Sequence, residues 1–387
     1  MQISRTYKYK LYPSKSQTFK LNQTLELCRK IYNDTLSIRK ITWESERKSL
    51  SKYDTNKILT KWKKENSELK FVHSQVAQNV QERVDLAFQT FFRHQRNKKK
   101  CGYPRFKGEG RYDSFTFPQS GFSLNENKLK ISKIGNVKIK IDRAIDGKIK
   151  RLTIHKSPTG KWFACFNVEK EIEQNIKPNS KCVGIDLGLS QFIIGNDGLK
   201  IDNPHFFKQE QKELAKVQRR YQKNKTKKNK HTISLVHERI KNKRNDFIHK
   251  ISRQMVETYD IICMEQLNIK NMQKGKGDKH KKQTSNRNKS ITDVAWRSLI
   301  EKISYKAEEA GKISVLVNPC NTSKMCSGCG KIVNKDVSIR VHECECGLVL
   351  DRDLNASINI LRLGLQSLRR NDKIEEIVDP SVFEFNL

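Results

Sequence analysis

The sequence predicts a multidomain α+β protein: a small β-barrel or sandwich interrupted by helices, then an α/β unit that carries a four-cysteine zinc ribbon. Three observations carry this reading. Alternating segments occur at residues 3–11 and again over 113–169, where they are short and broken by turn residues. After a polar linker at 170–180, apolar strands and helical stretches alternate. Cys326, Cys329, Cys344 and Cys346 stand as C-x-x-C and C-x-C, two close thiol pairs with a glycine beside each. At 387 residues the chain is long enough for two or three domains with cores of their own.

Residues 3–11 alternate polar with aromatic or apolar side chains, and Tyr12-Pro13-Ser14 ends that strand. Over 14–40, Leu21, Leu25, Cys28, Tyr32 and Leu36 recur at three or four, an amphipathic helix with Ser14 and Ser16 as candidate caps. A second helical stripe, Val76, Val80, Val84, Phe88 and Phe91, spans 74–96 and ends in a basic run before Tyr103-Pro104-Arg105-Phe106. The strands of 113–169 then complete the sheet to which the first strand belongs. The helices of 14–100 are thus expected between its first and second strands. Beyond the linker, 182–189, 191–196 and 199–203 read as three consecutive strands, and 206–259 as a basic helical region that pairs with itself. A strand at 260–267, a mobile Gly-, Lys- and Asn-rich loop at 270–290, a helix at 293–310 and a strand at 314–319 follow. The last helix starts near Asp353 and carries Ile358, Leu361 and Leu365. The tail from Asn371 holds five acidic residues and one lysine, and either folds back on the basic surface or stays disordered.

Charge narrows the class of partner. Lys and Arg total 78 against 42 Asp and Glu, a formal charge of +36, and residues 205–230 alone hold ten Lys or Arg and two Glu. Such a field attracts phosphate backbones and releases their counterions on contact. No apolar run approaches the roughly 18 residues of a membrane span, and Met1 leads into a strand instead of a signal sequence. A cytoplasmic protein with no membrane partner is expected. The six cysteines outside the two pairs (Cys28, Cys101, Cys165, Cys182, Cys263, Cys320) mostly sit singly in apolar stretches and read as core thiols.

Four thiolates close a tetrahedral structural zinc site with no position open for chemistry. His342, near Cys344, reads as a surface residue or a support to the cluster, not a ligand. The chemistry is expected from carboxylates. Asp186 lies in the apolar run Val183-Gly184-Ile185-Asp186-Leu187-Gly188, Glu265 ends Ile261-Ile262-Cys263-Met264-Glu265, and Asp353 opens the final helix. An ionised carboxylate is costly in such places unless paired or bound to metal. Acids on strand one, strand four and a late helix of a β-β-β-α-β-α-β-α succession follow the layout of the RNase H-like fold. Two Mg²⁺ ions about 3.5 to 4 Å apart, held by carboxylates converging from several elements, hydrolyse phosphodiesters. Asp351 competes for the third position. Asp353 is preferred, because with Asn355 it starts the helix.

The chain resembles TnpB-type proteins, RNA-guided DNA endonucleases of insertion-sequence transposons and compact relatives of type V CRISPR effectors. The likeness runs through Tyr7-Lys8-Tyr9-Lys10-Leu11-Tyr12-Pro13, Tyr103-Pro104-Arg105-Phe106-Lys107, Gly160-Lys161-Trp162, Gly184-Ile185-Asp186-Leu187-Gly188 and Glu265-x-Leu267. It continues in Thr322-Ser323-x-x-Cys326-Ser327-x-Cys329-Gly330 and Cys346-Gly347-x-x-x-Asp351-Arg352-Asp353-x-Asn355-Ala356. The short C-x-C pair and Ser357, where the family commonly has alanine, depart from its pattern.

The resemblance implies a wedge β-barrel (1–13 and 102–175) with an inserted helical recognition domain (14–101). It further implies a RuvC nuclease domain (181–319 and 351–370) interrupted by a zinc-ribbon target-nucleic-acid-binding insert (320–350), then the tail (371–387). By the same resemblance Asp186, Glu265 and Asp353 are the catalytic triad with two Mg²⁺, Arg340 assists catalysis, and one Zn²⁺ sits on the four cysteines. The implied partners are a guide (omega, right-end) RNA and double-stranded DNA, with a monomer on the RNA expected. Tyr53, Thr55, Asn56, Ser74, Gln75, Gln78 and Asn79 are candidates for reading a short motif beside the target. The competing readings are a guided repressor without cleavage, which would lack an acid, and a DNA-joining transposase, against which the zinc insert before Asp353 argues.

Overall fold

The computed structural model describes residues 2–173, 180–272, 288, 293, 295–336 and 339–369, and these divide into two compact units, Gln2–Glu171 and a second one beginning at Ile172. In the first unit, seven antiparallel strands run in the order β2-β6-β7-β1-β5-β4-β3. They are β1 (Gln2–Tyr12), β2 (Ser114–Phe117), β3 (Phe122–Asn125), β4 (Lys128–Ile131), β5 (Gly135–Lys140), β6 (Lys148–Lys156) and β7 (Trp162–Glu171). The edge strands β2 and β3 are consecutive in sequence and their Phe117 and Phe122 rings lie 6.3 Å apart, so the sheet curls into a nearly closed barrel. β1 is central, as its alternation predicts: Ile3, Tyr9 and Leu11 are buried, and it pairs with β7 from Gln2↔Glu171 to Leu11↔Trp162. That pairing carries β7 two residues into the stretch expected to be linker. Ladder hydrogen bonds extend the strand there regardless of polar side chains. Residues 174–179 of that linker lie outside the described residues.

Between β1 and β2 come α1 (Lys15–Glu46), α2 (Lys52–Glu65), a 3₁₀ turn (Ser67–Phe71) and α3 (Ser74–Arg96). Ser14 caps α1 in a reciprocal capping box with Gln17. Sequence periodicity finds α1 and α3 but passes over α2, whose stripe is thin: only Thr55 and Leu59 are buried. Leu21, Leu25, Val76, Val80 and Phe88 of the helices and Phe115, Ile139 and Phe166 of the sheet belong to one core. Packing therefore draws no line between helices and barrel.

The second unit is built on the sheet β10-β9-β8-β11-β12. β8 (Cys182–Asp186), β9 (Gln191–Gly195) and β10 (Lys200–Asp202) form an antiparallel meander, while β11 (Ile261–Glu265) runs parallel to both β8 and β12 (Ile313–Val317). The basic region forms α4 (Phe206–Lys223) and α5 (Lys227–Thr258), which meet through Leu214, Val217, Val236 and Ile240. After the short α6 (Ile269–Met272) come α7 (Trp296–Glu309) and α8 (Arg352–Arg369). Strand alternation assigns the faces. Val183, Ile185, Ile262 and Met264 pack with α5 and α7, whereas Ile261 and Cys263 pack with α8. A small ribbon of β13 (Val341–Glu343) and β14 (Val349–Asp351) precedes α8. The expected acidic tail and residues 273–287 of the expected loop lie outside the described residues. Among the described residues, no helix is long and apolar enough to cross a membrane.

Candidate active site

The pleat decides where two of the acids point. Gly184 and Asp186 share one face of β8, and Cys263 and Glu265 share one face of β11; in both strands that is the face covered by α8. Both acids sit at the C-terminal ends of parallel strands, where open α/β sheets place their ligand crevices. Asp353 enters from the first turn of α8, where the helix dipole favours an anion.

Asp186 accepts a hydrogen bond from the Leu187 amide at 3.0 Å. Its carboxyl is pushed up to about 7, first by burial and then by the negative charges of Glu265 and Asp353, against the opposing pull of the Leu187 amide and Arg352. The three carboxylates therefore share one field. Glu265 is buried, which raises its acid against a hydrogen bond from the Thr322 hydroxyl at 2.5 Å. Asp353 is clasped by two guanidinium groups: Arg352 Nη2 lies 2.9 Å from Oδ1 and Arg340 Nη1 lies 3.2 Å from Oδ2. Asp351 has another task, since its Oδ1 accepts from the amides of Asp353 and Leu354 at 2.9 and 3.1 Å. It caps the helix that Asp353 uses, which separates the two competing acids.

The four cysteine sulfurs lie within 4.8 Å of one another, with Cys326–Cys346 and Cys329–Cys344 separations of 3.6 Å. A tetrahedral ion with Zn–S bonds of 2.3 Å sets its sulfurs about 3.8 Å apart, so the cluster fits zinc. Tight turns build it: the Gly330 amide bonds to the Cys326 carbonyl, and the Gly347 amide to that of Cys344. The C-x-C spacing is thereby accommodated at the start of the second turn. Among the described residues, this is the one group of three or more potential ligand side chains that closes to 4.8 Å; the carboxylates do not. Mutual repulsion opposes their approach, and a pair of ions does not require all three in one coordination shell. His342 is fully buried, with Nδ1 2.6 Å from Lys335 Nζ, which excludes the surface alternative. Cys320 is exposed and is not a core thiol. Ser357 is buried with its hydroxyl on the Leu354 carbonyl at 2.7 Å, so the departure from alanine is locally satisfied.

The motif-reading candidates do not behave alike. Tyr53 is 78% exposed on α2, and Ser74 and Gln78 are exposed on α3. Thr55 is buried with its hydroxyl on the Lys52 carbonyl at 2.9 Å, so it presents nothing to a nucleic acid and that expectation is corrected. The Asn56 Oδ1 is buried too. Gln75 accepts from the Ser120 amide and hydroxyl, and Asn79 joins Glu82 and Arg83. Sequence reasoning passed over Arg352 and gave no role to Thr322. The signal for the first was its place between two acids; the second stood at the head of the Thr322-Ser323-x-x-Cys326 motif, which names no partner for its hydroxyl.

Three stretches match known family descriptions: residues 1–48 "Helix-turn-helix domain", residues 165–276 "Probable transposase", both of the OrfB IS605 type, and residues 296–360 "Cas12f1-like, TNB domain". Residues 1–48 here form a strand and one long helix. A Streptomyces pristinaespiralis protein named "Putative RNA-guided DNA endonuclease" is 30% identical, over 96% of this chain and 92% of the relative. Escherichia coli "Putative RNA-guided DNA endonuclease InsQ" is 28% identical, over 94% and 93%. The fold matches that of a Cas12f1 chain solved with its sgRNA and target DNA, with a TM-score of 0.56, 14% identity, and 93% and 98% of the two chains covered.

Proposed function

Because the chain belongs to the TnpB (OrfB, IS605-type) family of insertion-sequence proteins, we propose that it is an RNA-guided endonuclease of double-stranded DNA. The observation that carries the chemistry is the convergence of Asp186, Glu265 and Asp353, from two strand ends and a helix start, with the negative charges of the other two acting on Asp186.

All three donors are hard oxygens, the set that suits Mg²⁺. In this reading Asp186, Glu265 and Asp353 hold two such ions, which when bound supply an activated water and charge neutralisation at the scissile phosphate. The protein's own part is to fix these acids on rigid elements. Arg340, partly exposed beside Asp353, is placed to meet charge developing on the phosphate. Cys326, Cys329, Cys344 and Cys346 hold one structural Zn²⁺. We assign 1–13 and 102–175 to a wedge, 14–101 to recognition, 181–319 and 351–370 to a RuvC-type nuclease and 320–350 to the zinc insert.

Base pairing between guide RNA and target supplies sequence specificity, and the protein grips phosphate backbones by charge and shape. The formal charge of +36 supports this, as do Lys212, Lys216, Arg219, Arg220, Lys223 and Lys227, all exposed along α4 and the start of α5. Tyr53, Ser74 and Gln78 remain the accessible candidates for contact with a short motif. The test is to purify the protein with its RNA, sequence that RNA, and challenge the complex with plasmids carrying the matching target beside a randomised flank. The reading requires Mg²⁺-dependent linearisation of plasmids with the match and a defined flank. Equal cutting of matched and unmatched plasmids, or none at all, rejects it.

A further inference from the structure

α8 carries Asn355, Asn359 and Arg362 on one face, at helical spacings of four and three. All three are buried, at 0, 0 and 7% exposure. Buried amides and guanidinium groups are costly unless they are hydrogen-bonded. Here they bond to the main chain of the first cysteine turn. Asn355 donates to the Met325 carbonyl at 2.8 Å and accepts from the Ser327 amide at 2.9 Å. Asn359 donates to the carbonyls of Met325 at 2.6 Å and Thr322 at 2.9 Å, and Arg362 donates to that of Ser327 at 3.0 Å. Five contacts thus fasten residues 322–327 to the helix that begins with Asp353.

Thr322 is itself buried at 3% exposure, and its hydroxyl reaches across to Glu265 Oε1 at 2.5 Å. The same hydroxyl lies 3.2 Å from the Pro319 carbonyl, and a hydroxyl that donates to an ionised carboxylate makes a charge-assisted hydrogen bond. A continuous hydrogen-bonded path results, buried except near Met325 and Asp353: Glu265, the Thr322 hydroxyl, the Thr322 carbonyl, Asn359, the Met325 carbonyl, Asn355, and then two residues along α8 to Asp353. Both ends of the path are carboxylates of the site.

We propose that Thr322 is a positioning residue for Glu265, held in place by the Asn355–Asn359–Arg362 ladder, so that the first cysteine turn sets the orientation of one acid relative to another. The zinc module's contribution then includes the geometry of the carboxylate site. This role rests on the reading of Asp186, Glu265 and Asp353 as the metal-holding set. Partners that orient a metal ligand change affinity by about 10- to 100-fold when removed.

The test uses the full-length, zinc-loaded chain, with Mn²⁺ as a paramagnetic stand-in for Mg²⁺. Thr322→Val keeps the shape and removes the hydroxyl; Thr322→Ser keeps the hydroxyl. Binding of Mn²⁺, followed by electron paramagnetic resonance, is expected to weaken about tenfold in Thr322→Val and to return toward the parent in Thr322→Ser. Zinc content is expected to stay unchanged in both, and Thr322→Val, which takes a donor from the buried Glu265 carboxylate, is expected to melt somewhat lower than Thr322→Ser. Parent-like Mn²⁺ binding in Thr322→Val overturns the proposal. So does loss of zinc from that variant, because the hydroxyl then serves the cysteine turn and not Glu265, and so does failure of serine to rescue. Asp186→Ala separates the two levels: if it binds Mn²⁺ as the parent does, the carboxylate reading itself fails. If it loses Mn²⁺ while Thr322→Val keeps it, only the positioning role fails.

Discussion

Gly184→Ala asks how closely α8 must lie on the sheet. Gly184 is two residues before Asp186 on the same face of β8, and a Cβ there would stand 2.2 Å from the Ser357 carbonyl oxygen, 2.5 Å from the Leu361 nitrogen and 2.7 Å from Leu361 Cβ. Two of these three atoms are helix backbone, which cannot rotate away. Carbon contacts are comfortable only near 3.5 Å, so α8 must retreat by about 1 Å. Ser357 is one helical turn from Asp353, so the retreat draws Asp353 away from Asp186. Overpacking of this kind costs about 1 to 3 kcal/mol, within the roughly 5 to 15 kcal/mol by which a domain is stable. A misplacement of about 1 Å in a catalytic group slows chemistry on the order of 100-fold. Gly184→Ala is therefore expected to fold, hold zinc and bind guide RNA, while cutting a matched plasmid about 100-fold more slowly in single-turnover assays. Gly364 gives a control on α8, because its added Cβ would meet the Cys263 sulfur at 2.3 Å. The Cys263 Cβ lies 2.8 Å from the same point, so pairing Gly364→Ala with Cys263→Ala, which removes the sulfur and keeps that carbon, is expected to restore cutting only in part. Parent-like cutting by Gly184→Ala with an unchanged melting temperature would refute the claim that this contact sets the site.

Other perturbations probe the remaining parts. Cys326→Ser is expected to lose about one zinc per chain by metal analysis. Because structural zinc contributes on the order of 10 kcal/mol to a module's folding, cutting should disappear with it. Arg340→Ala removes a contact with Asp353 made by a side chain 58% exposed; such a surface pair is worth about 0 to 1 kcal/mol. Its melting temperature should barely move, whereas cutting should fall about 100-fold if the guanidinium meets charge in the transition state; unchanged cutting removes Arg340 from the catalytic set. Without added divalent ions, the folded chain binds the Asp186 proton more tightly than the unfolded chain does, since its acid is raised to about 7. Stability from this group is thus present at low pH and lost as pH rises toward 7. The urea midpoint difference between Asp186→Asn and the parent should grow in favour of the variant from about pH 4 to about pH 7, the span between the ordinary Asp value and the raised one, and level off above it, and Mg²⁺ should shrink it. A pH-independent difference contradicts the assignment.

Much of the fold was legible because it follows from period and punctuation. The alternation of residues 3–11 predicted a strand of the barrel, and the structure makes it the central one, paired on both sides. Asp186 and Glu265 stood out because a lone acid in an apolar strand has few physical excuses. Asp353 was separable from Asp351 only by its place at a helix start, and the cap hydrogen bonds of Asp351 supply the reason. What stayed hidden depends on register or on distant partners. Thr55 looked accessible because α2 has too few apolar residues to reveal which face is inward. The Thr322 bond to Glu265 spans 57 positions, and no local pattern encodes it. Gly184 was visible as part of a motif, but its need is steric and appears only when α8 is laid against it.

The central claim is that one carboxylate site does the cutting, and the most direct measurement pairs cleavage with binding in Asp186→Ala. With guide RNA and Mg²⁺ supplied, the variant is expected to bind the matched, motif-bearing duplex as tightly as the parent and to leave both strands intact. Cutting of either strand at the parent's rate would contradict the account.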